Sequence, residues 1–588
     1  MRKLKLEEIL AIVILSIMAI IDFINVLSRY IFHISFAATE EITVNLFVWL
    51  TVIGIAIAFE RGSHLGMNTV FDKFPKSLKA VAIIISGVLA IFIFAMVDFY
   101  AIKDVIRDMT LYHSRSEALN IPVWIYTIGT PIFSIFVFKN VIVSTIKNVK
   151  TLLTGGCKMS AALLLFGIFI LLIIIGAPIG TAIGAAGLFG ILKYDLGATM
   201  ISKNFIAGIS KFPLVAIPFF VLEGELLAKG GLAKKISHFI TILVGKARGG
   251  LAIAAVVTAA FWGAISGSGP ATAAAIGLIF IPSMIEQGYL DTFAASVVAA
   301  ASGLAIIIPP SIAFIVYGNI TGVSIGALFL GGVIPGLVIM GFFIIITYVI
   351  SRKRNYHGIQ ERGSAKEIWN AFKEAIWAIL APVIILGSIY AGIATPTESA
   401  VISVFYSLFV GIFVYKSLGK KEIIDSLIGT TVTSAVVMFV VTFAGIFSIV
   451  ESNLGIIDAA GNFVVSVSKS PIAFLLLVDL VLFIAGFFLD AISILYVIMP
   501  IFLPALTAFK IDPLFFGVMV TVALAIGQIT PPVAVNLYVT SNLIKKSLDQ
   551  TSKEIWPFVA FAVIGLLVIT FFPKLSLLLP IASKLYTP

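Results

Sequence analysis

Charge and cysteine are both scarce in this chain. Of 588 residues only 12% are Asp, Glu, Lys or Arg, and a single cysteine, Cys157, is present. One cysteine excludes an internal disulfide framework. The five histidines, His33, His64, His113, His238 and His357, are scattered, without HExxH or another ligand spacing. That removes the helix-borne zinc site such a spacing encodes. GxxxxGK[ST] does not occur, so there is no phosphate-cradling loop, and an ATP-driven pump is not expected. A membrane hydrolase built on Ser266 or Ser268 would lack a neighbouring His or Lys as base. No catalytic residue and no organic cofactor is expected.

What remains is apolar. The chain is 60% hydrophobic with a mean hydropathy of +1.15, against about 45–50% apolar usage in soluble domains. Runs at 10–21, 81–97, 161–175, 336–350 and 559–572, with their flanks, approach the roughly 20 residues that cross a bilayer as helix. They are continuous rather than alternating, which excludes a transmembrane barrel. The expected fold is an all-α polytopic membrane protein. The net charge of +10 reads as positive loops facing the cytoplasm rather than as nucleic-acid binding, because no basic cluster is attached to a soluble domain. The opening MRKLKLEEIL leads into an apolar run with no A-x-A-like site and reads as an uncleaved first helix.

Residues 1–150 read as a unit of four helices, near 8–32, 41–59, 78–101 and 121–148. Arg2, Lys3 and Lys5 precede the first; Arg61, Lys73, Lys76 and Lys79 follow the second; Lys139, Lys147 and Lys150 close the fourth. Both ends of the unit are therefore cytoplasmic. Residues 151–160, TLLTGGCKMS, form a polar linker. Two related halves follow, 161–350 and 370–588, separated by the connector 351–369 with Arg352, Lys353, Arg354, Arg362 and Lys366. That density of basic residues makes it cytoplasmic.

The halves are recognised by prolines. A shift of 222 residues (504 − 282) lays Pro282 on Pro504, Pro309 and Pro310 on Pro531 and Pro532, and Pro335 on Pro557. IGAPIGTAIG around Pro178 and IATPTESAVIS around Pro396 extend the match with a small slip. A long-period repeat fixes the architecture before single residues are interpreted. Gly176, Gly180 and Gly184 recur every four residues, which lets a second helix approach closely, and 203–211 reads as an amphipathic segment in the interface. Charge puts both ends of the first half in the cytoplasm, so the halves would be parallel. Whether 161–193 is one crossing, two, or a crossing plus a re-entrant piece stays open.

A proline inside a membrane helix deprives the carbonyl four residues earlier of its partner. Pro309 and Pro310 are expected to free the carbonyls of Ala305 and Ile306, beside Gly303, and Pro531 and Pro532 those of Gly527 and Gln528. Bare carbonyls are tolerated in hydrocarbon only where they line a cavity or bind something, and a hard cation such as Na⁺ suits them. Upstream of each break lies a second interruption. Ser266, Gly267, Ser268, Pro270 and Thr272 are too polar and flexible for a mid-membrane helix, and the second copy carries Asp490 and Ser493 there. Both read as tips of re-entrant hairpins, with N–H groups that favour an anion and oxygens that favour a cation. Paired hairpins and broken helices mark a secondary transporter's midplane site.

Among single polar residues, Gln528, Thr530 and Asn536 flank the second break and are candidates for contact with substrate or ion. Glu398, after Thr395 and Thr397, either meets substrate or sits in a turn near an interface. Asp22, Asp98, Glu223, Glu225, Glu451 and Asp479 read as structural, near helix ends or in scaffold contacts. Glu60, Arg61 and His64 read as the anchor of the second helix.

WLTVIGIAIAFERGSHLG at 49–66, GSGPATAAAIG at 267–277, IIIPPS at 306–311, ATPTESA at 394–400 and QITPPVAVN at 528–536 resemble the tripartite ATP-independent periplasmic (TRAP) transporters. Residues 1–150 look like the small Q subunit and 160–572 like the large M subunit, fused. The resemblance implies a Na⁺-driven importer of the bacterial inner membrane, working as an elevator, with substrate delivered by a periplasmic substrate-binding protein. It makes the M halves inverted, against the charge reading. Family substrates are mostly carboxylates: sialic acids, C4-dicarboxylates and 2-oxo acids. Fusion of Q to M resembles the sialic acid members, so sialic acid is the expected substrate. Na⁺ is expected at Ser266, Gly267, Ser268, Gly303, Ala305, Asp490, Ser493, Gly527, Gln528 and Thr530. Substrate is expected at Thr272, Pro309, Pro310, Ser311, Thr395, Thr397, Glu398 and Asn536. No Arg or Lys lies in either hairpin or break, so a carboxylate would be held by helix N-termini and by Ser, Thr or Asn. An ion channel is the alternative from another class. The repeat suits alternating access better than a multi-chain filter.

Overall fold

The computed structural model describes residues 5–29, 36–61, 76–149, 161–194, 196–197, 199–358 and 364–587. Among these residues no strand forms, and one isolated bridge pairs Arg115 with Pro122. Ten helices are long and apolar enough to cross a membrane, or up to twelve if two bent pairs each count as one span. This is the expected all-α polytopic fold, the form in which each spanning segment satisfies its own backbone in lipid. The linker 151–160 with Cys157, His33, His64 and Arg362 lie outside the described residues.

Contacts divide the chain into two compact units, one of Met1–Pro218, Leu427–Val464 and Leu495–Pro504, the other of Phe219–Ser426, Val465–Ile494 and Ala505–Pro588. The first contains the four N-terminal helices, Leu6–Leu27, Ala37–Arg61, Lys76–Arg107 and Gly129–Val149. The third outruns its expected end at 101 because buried Val105 continues its apolar face. Thr43 Oγ1 donates to Asp22 at 2.7 Å, Ser134 Oγ to Asp98, Asn140 Nδ2 to the Ala56 carbonyl at 2.9 Å, and Trp49 Nε1 to the Tyr126 carbonyl at 3.0 Å. Away from water, such pairs join neighbouring helices. Asp22 and Asp98 are scaffold contacts.

Segment 161–193 doubles back. Helices Ala161–Ile174 and Ile179–Lys193 are joined through Gly176 at φ +87°, a left-handed conformation that glycine adopts without strain. A Cβ on Gly190 would lie 3.2 Å from Leu165 Cδ1, so the two ends meet. Gly180 and Gly184 serve close approach as expected: a Cβ there would fall 2.4 Å from Phe439 Cδ1 and 2.6 Å from Phe443 Cδ1. Helix Met200–Ile209 buries Ile201, Phe205 and Ile209 and leaves Lys203 exposed, while Ser202 Oγ donates to Asp104 at 2.7 Å.

In the second unit the start of the connector is strapped down. Arg354 pairs with Glu554 at 2.9 Å and lies 5.4 Å from the Phe293 ring centre; the Tyr356 ring stacks 4.3 Å from Tyr289, and its carbonyl accepts from Gly249 N at 3.1 Å. Glu223 accepts from Ser403 Oγ at 2.7 Å, Asp479 from Thr570 Oγ1 at 2.8 Å, and Glu225 pairs with Lys229 at 2.9 Å. Glu451, in the first unit, is fully buried with neither carboxylate oxygen hydrogen-bonded.

Candidate functional site

The first hairpin is formed by helices Gly250–Ser266 and Gly269–Glu286, which pack against each other. Gly267 ends the first arm at φ +58°, and Ser268 opens the second as an N-cap that makes no side-chain cap bond. The tip is braced internally: Ser266 Oγ and Thr272 Oγ1 are 2.8 Å apart. The second arm runs through Pro282 unbroken, whereas its copy is interrupted at Ile498, just before Pro500, between helices Ala491–Val497 and Met499–Phe509. At the base of the second hairpin Phe474 stacks 5.4 Å from Phe509. At its tip buried Asp490 caps Ala491–Val497, accepting from Ile492 N at 3.0 Å, from Ser493 N at 3.4 Å and from Ser493 Oγ.

Both breaks form where the double prolines sit, and the Pro309–Pro310 and Pro531–Pro532 bonds are both cis. Three of the four carbonyls expected to be free are not. Ser311 Oγ donates to the Ile306 carbonyl at 2.6 Å, Thr530 N to that of Gly527 at 3.1 Å, and Asn536 N to that of Gln528 at 3.1 Å. The cause is local: a proline removes one donor, but the turn it imposes brings up another within eight residues. No hydrogen bond among the described residues ends on the Ala305 carbonyl. Ser311 also caps Ile312–Thr321.

The two interruptions of each copy meet within the second unit. A Cβ on Gly263 would lie 2.6 Å from Ala305 Cα, and one on Gly486 2.6 Å from Gly527 Cα. Each hairpin arm therefore touches its own break, at positions that the 222-residue shift matches to within one residue. The breaks also meet each other: a Cβ on Gly303 would sit 3.3 Å from the Ala525 carbonyl. The first tip reaches both breaks, since a Cβ on Gly267 would lie 2.8 Å from the Pro310 carbonyl and one on Gly269 2.5 Å from Gln528 Oε1. Asn536 is fully buried beside it with Oδ1 and Nδ2 unpartnered, as is Gln528 Oε1. Ser266, Gly267, Thr272, Gly303, Ala305, Pro310, Gln528 and Asn536 are thus brought together.

Thr395, Thr397 and Glu398 have a local explanation. Thr395 Oγ1 accepts from Glu398 N at 3.3 Å and Glu398 Oε2 from Thr395 N at 2.8 Å, a reciprocal capping box with Pro396 in the first turn of Pro396–Phe409. Gly263, Gly269 and Gly486, which fix the close approaches, were not singled out by sequence; their signal was the excess of small residues around the tips. Among the described residues no three of His, Cys, Asp and Glu cluster as for a metal.

The model of the TRAP transporter DctM component matches residues 166–575 of the chain. The chain belongs to the TRAP transporters. The DctQ component model matches residues 18–151, so this permease is the fused form. It is similar to an isethionate TRAP transporter permease, DctMQ, of Oleidesulfovibrio alaskensis, 34% identical over 96% of this chain and 92% of that one. It also resembles the sialic acid TRAP transporter permease SiaT of Haemophilus influenzae, 28% identical over 95% of each chain. The C4-dicarboxylate TRAP transporter large permease DctM of Rhodobacter capsulatus is 36% identical over 71% of this chain and 99% of its own. As a TRAP permease the chain is a multi-pass transporter of the bacterial inner membrane, not an enzyme, and the family implies a periplasmic substrate-binding partner.

Proposed function

We propose that this permease imports a small organic anion together with Na⁺, taking the anion from a periplasmic substrate-binding protein and carrying it by an elevator movement. The observation that carries the reading is the meeting, in one unit, of an uncapped helix N-terminus at Ser268 and Gly269 with the buried amides of Gln528 and Asn536, on a hairpin whose first arm packs at Gly263 against Ala305, whose carbonyl accepts no hydrogen bond among the described residues. The N-terminus attracts an anion; a bare backbone oxygen such as that of Ala305 attracts a cation. Ser266, Gly267, Ser268, Gly303 and Ala305 would hold one Na⁺, and Asp490, Ser493, Gly527 and Thr530 another, while Gln528, which lies with Asn536 at Gly269, would face the substrate. Thr272, Pro309, Pro310, Ser311 and Asn536 would face the substrate. An anion and cations bound together cancel much of each other's charge, which lowers the cost of moving either through hydrocarbon.

Fusion of the two subunits does not choose the substrate, because fused relatives carry both the isethionate and the sialic acid names. Greater identity makes isethionate the first probe, with sialic acid and a C4-dicarboxylate beside it. The test is uptake of each labelled anion into proteoliposomes holding the purified chain, with and without an inward Na⁺ gradient and the cognate binding protein. Uptake that needs both is expected. Uptake indifferent to Na⁺ would sink the coupling, and ion flux with no binding protein present would point to a channel.

A further inference from the structure

Three buried polar atoms at the site converge on one spot. A Cβ on Gly269 would lie 2.5 Å from Gln528 Oε1, 2.8 Å from Asn536 Oδ1 and 2.9 Å from Asn536 Nδ2. None of the three has a hydrogen-bond partner, and Asn536 is fully buried. Gly269 is the first residue of the 18-residue helix Gly269–Glu286, and its N-cap makes no side-chain cap bond. The missing side chain therefore keeps two amide edges facing an open helix N-terminus.

Buried polar groups left unpaired are costly, so a ligand that pairs them is favoured over one that does not. The inventory is specific: one amide nitrogen, with its two N–H groups to give, and two carbonyl oxygens to receive. Turning the Asn536 amide over exchanges its atoms but changes neither number. A cation would satisfy the oxygens and leave the N–H groups directed at positive charge. A plain carboxylate or sulfonate would accept from the N–H groups and leave the oxygens facing an anion with no proton to offer. A hydroxyl does both, accepting from Asn536 Nδ2 and donating to Gln528 Oε1, while the anionic end of the same molecule lies at the helix N-terminus.

We propose that Gln528 and Asn536 select hydroxyl-bearing organic anions over anions of the same size that lack the hydroxyl. This rests on the reading of the chain as an organic-anion importer. The test measures binding to the full chain in lipid nanodiscs in Na⁺ buffer, without the binding protein, so that the permease's own selectivity is read. The probes are two pairs differing by one hydroxyl, isethionate with ethanesulfonate and malate with succinate. The hydroxylated member of at least one pair is expected to bind roughly tenfold or more tightly, as sites built to bond a hydroxyl discriminate. Asn536→Leu and Gln528→Met are each expected to bring that ratio to within about twofold while leaving the melting profile cooperative; if one variant fails to fold, the other carries the test. Equal binding within both pairs, or a ratio unchanged in the folded variants, overturns the selectivity and leaves anion import standing. Binding of no probe, together with no Na⁺-dependent uptake of any anion, brings down both.

Discussion

The glycine pair that joins the second hairpin to its break gives a stability prediction with an internal control. On Gly527 a Cβ would lie 2.7 Å from Gly486 Cα, a backbone atom that cannot swing away. Carbon atoms rest about 3.5–4.0 Å apart, so Gly527→Ala must push the two segments apart by roughly 1 Å. Overpacking of this kind costs about 1–3 kcal/mol. Against it stands the gain from replacing helical glycine by alanine, about 0.5–1 kcal/mol, and less at the last residue of Pro513–Gly527 than inside a helix. The net expectation is a loss of about 1–2 kcal/mol. Gly341 and Gly387 lie inside helices of the same unit, and a Cβ on either meets nothing within 4 Å. Gly341→Ala and Gly387→Ala should therefore stabilise, by up to about 1 kcal/mol. Gly486→Ala fills the same gap from the other side, so the double variant should cost less than the two single losses together. The assay is thermal unfolding of purified protein in one detergent, followed by solute uptake. Gly527→Ala melting at or above the wild type, with the two control variants unchanged or lower, would show that close backbone contact does not hold the break in place.

Three other outcomes follow from particular residues. Gly269→Ala pushes only against the ends of flexible amide side chains, so its melting temperature should stay near wild type while uptake falls by tenfold or more; normal uptake would remove Gly269 from the site. Thr395→Ala deletes a capping-box oxygen and should cost about 1 kcal/mol of stability with the substrate concentration for half-maximal uptake unchanged, whereas a raised concentration at normal stability would place Thr395 at the substrate. Glu451→Gln replaces a buried carboxyl that has no partner on either oxygen by a neutral side chain of the same shape, which should raise stability by about 1–3 kcal/mol; a lower melting temperature would mean the charge is compensated in the folded protein.

What could be read from the chain, and what could not, divides by the range of the cause. Proline's missing N–H is a property of one residue, so four prolines in register located both breaks and the duplicated frame. The glycine spacing at 180 and 184 is likewise local, and it foretold two close approaches without naming Phe439 and Phe443 as the partners. The fate of the freed carbonyls was less legible, because it turns on which donor the distorted turn delivers: a serine hydroxyl at Ile306, a backbone N–H from Asn536 at Gln528. The residue matched to Ser311 by the repeat is Val533, which has no hydroxyl, so the second copy needed a different donor. Residues 161–193 stayed open because of their length. Their apolar run is long enough for one crossing, yet GAP at 176–178 carries a turn signal, and the chain reverses there. Least legible was the convergence on Gly269, whose two amide partners lie more than 250 residues away. Sequence could name Gln528 and Asn536 as polar residues beside a break, but only the packed unit brings both to the mouth of the first hairpin's second arm. The duplicated frame thus supplies two equivalent tips, and the features that break the symmetry, Asp490 where the first copy has Ser268 and Asn536 where it has Phe314, are those that give the two tips different chemistry.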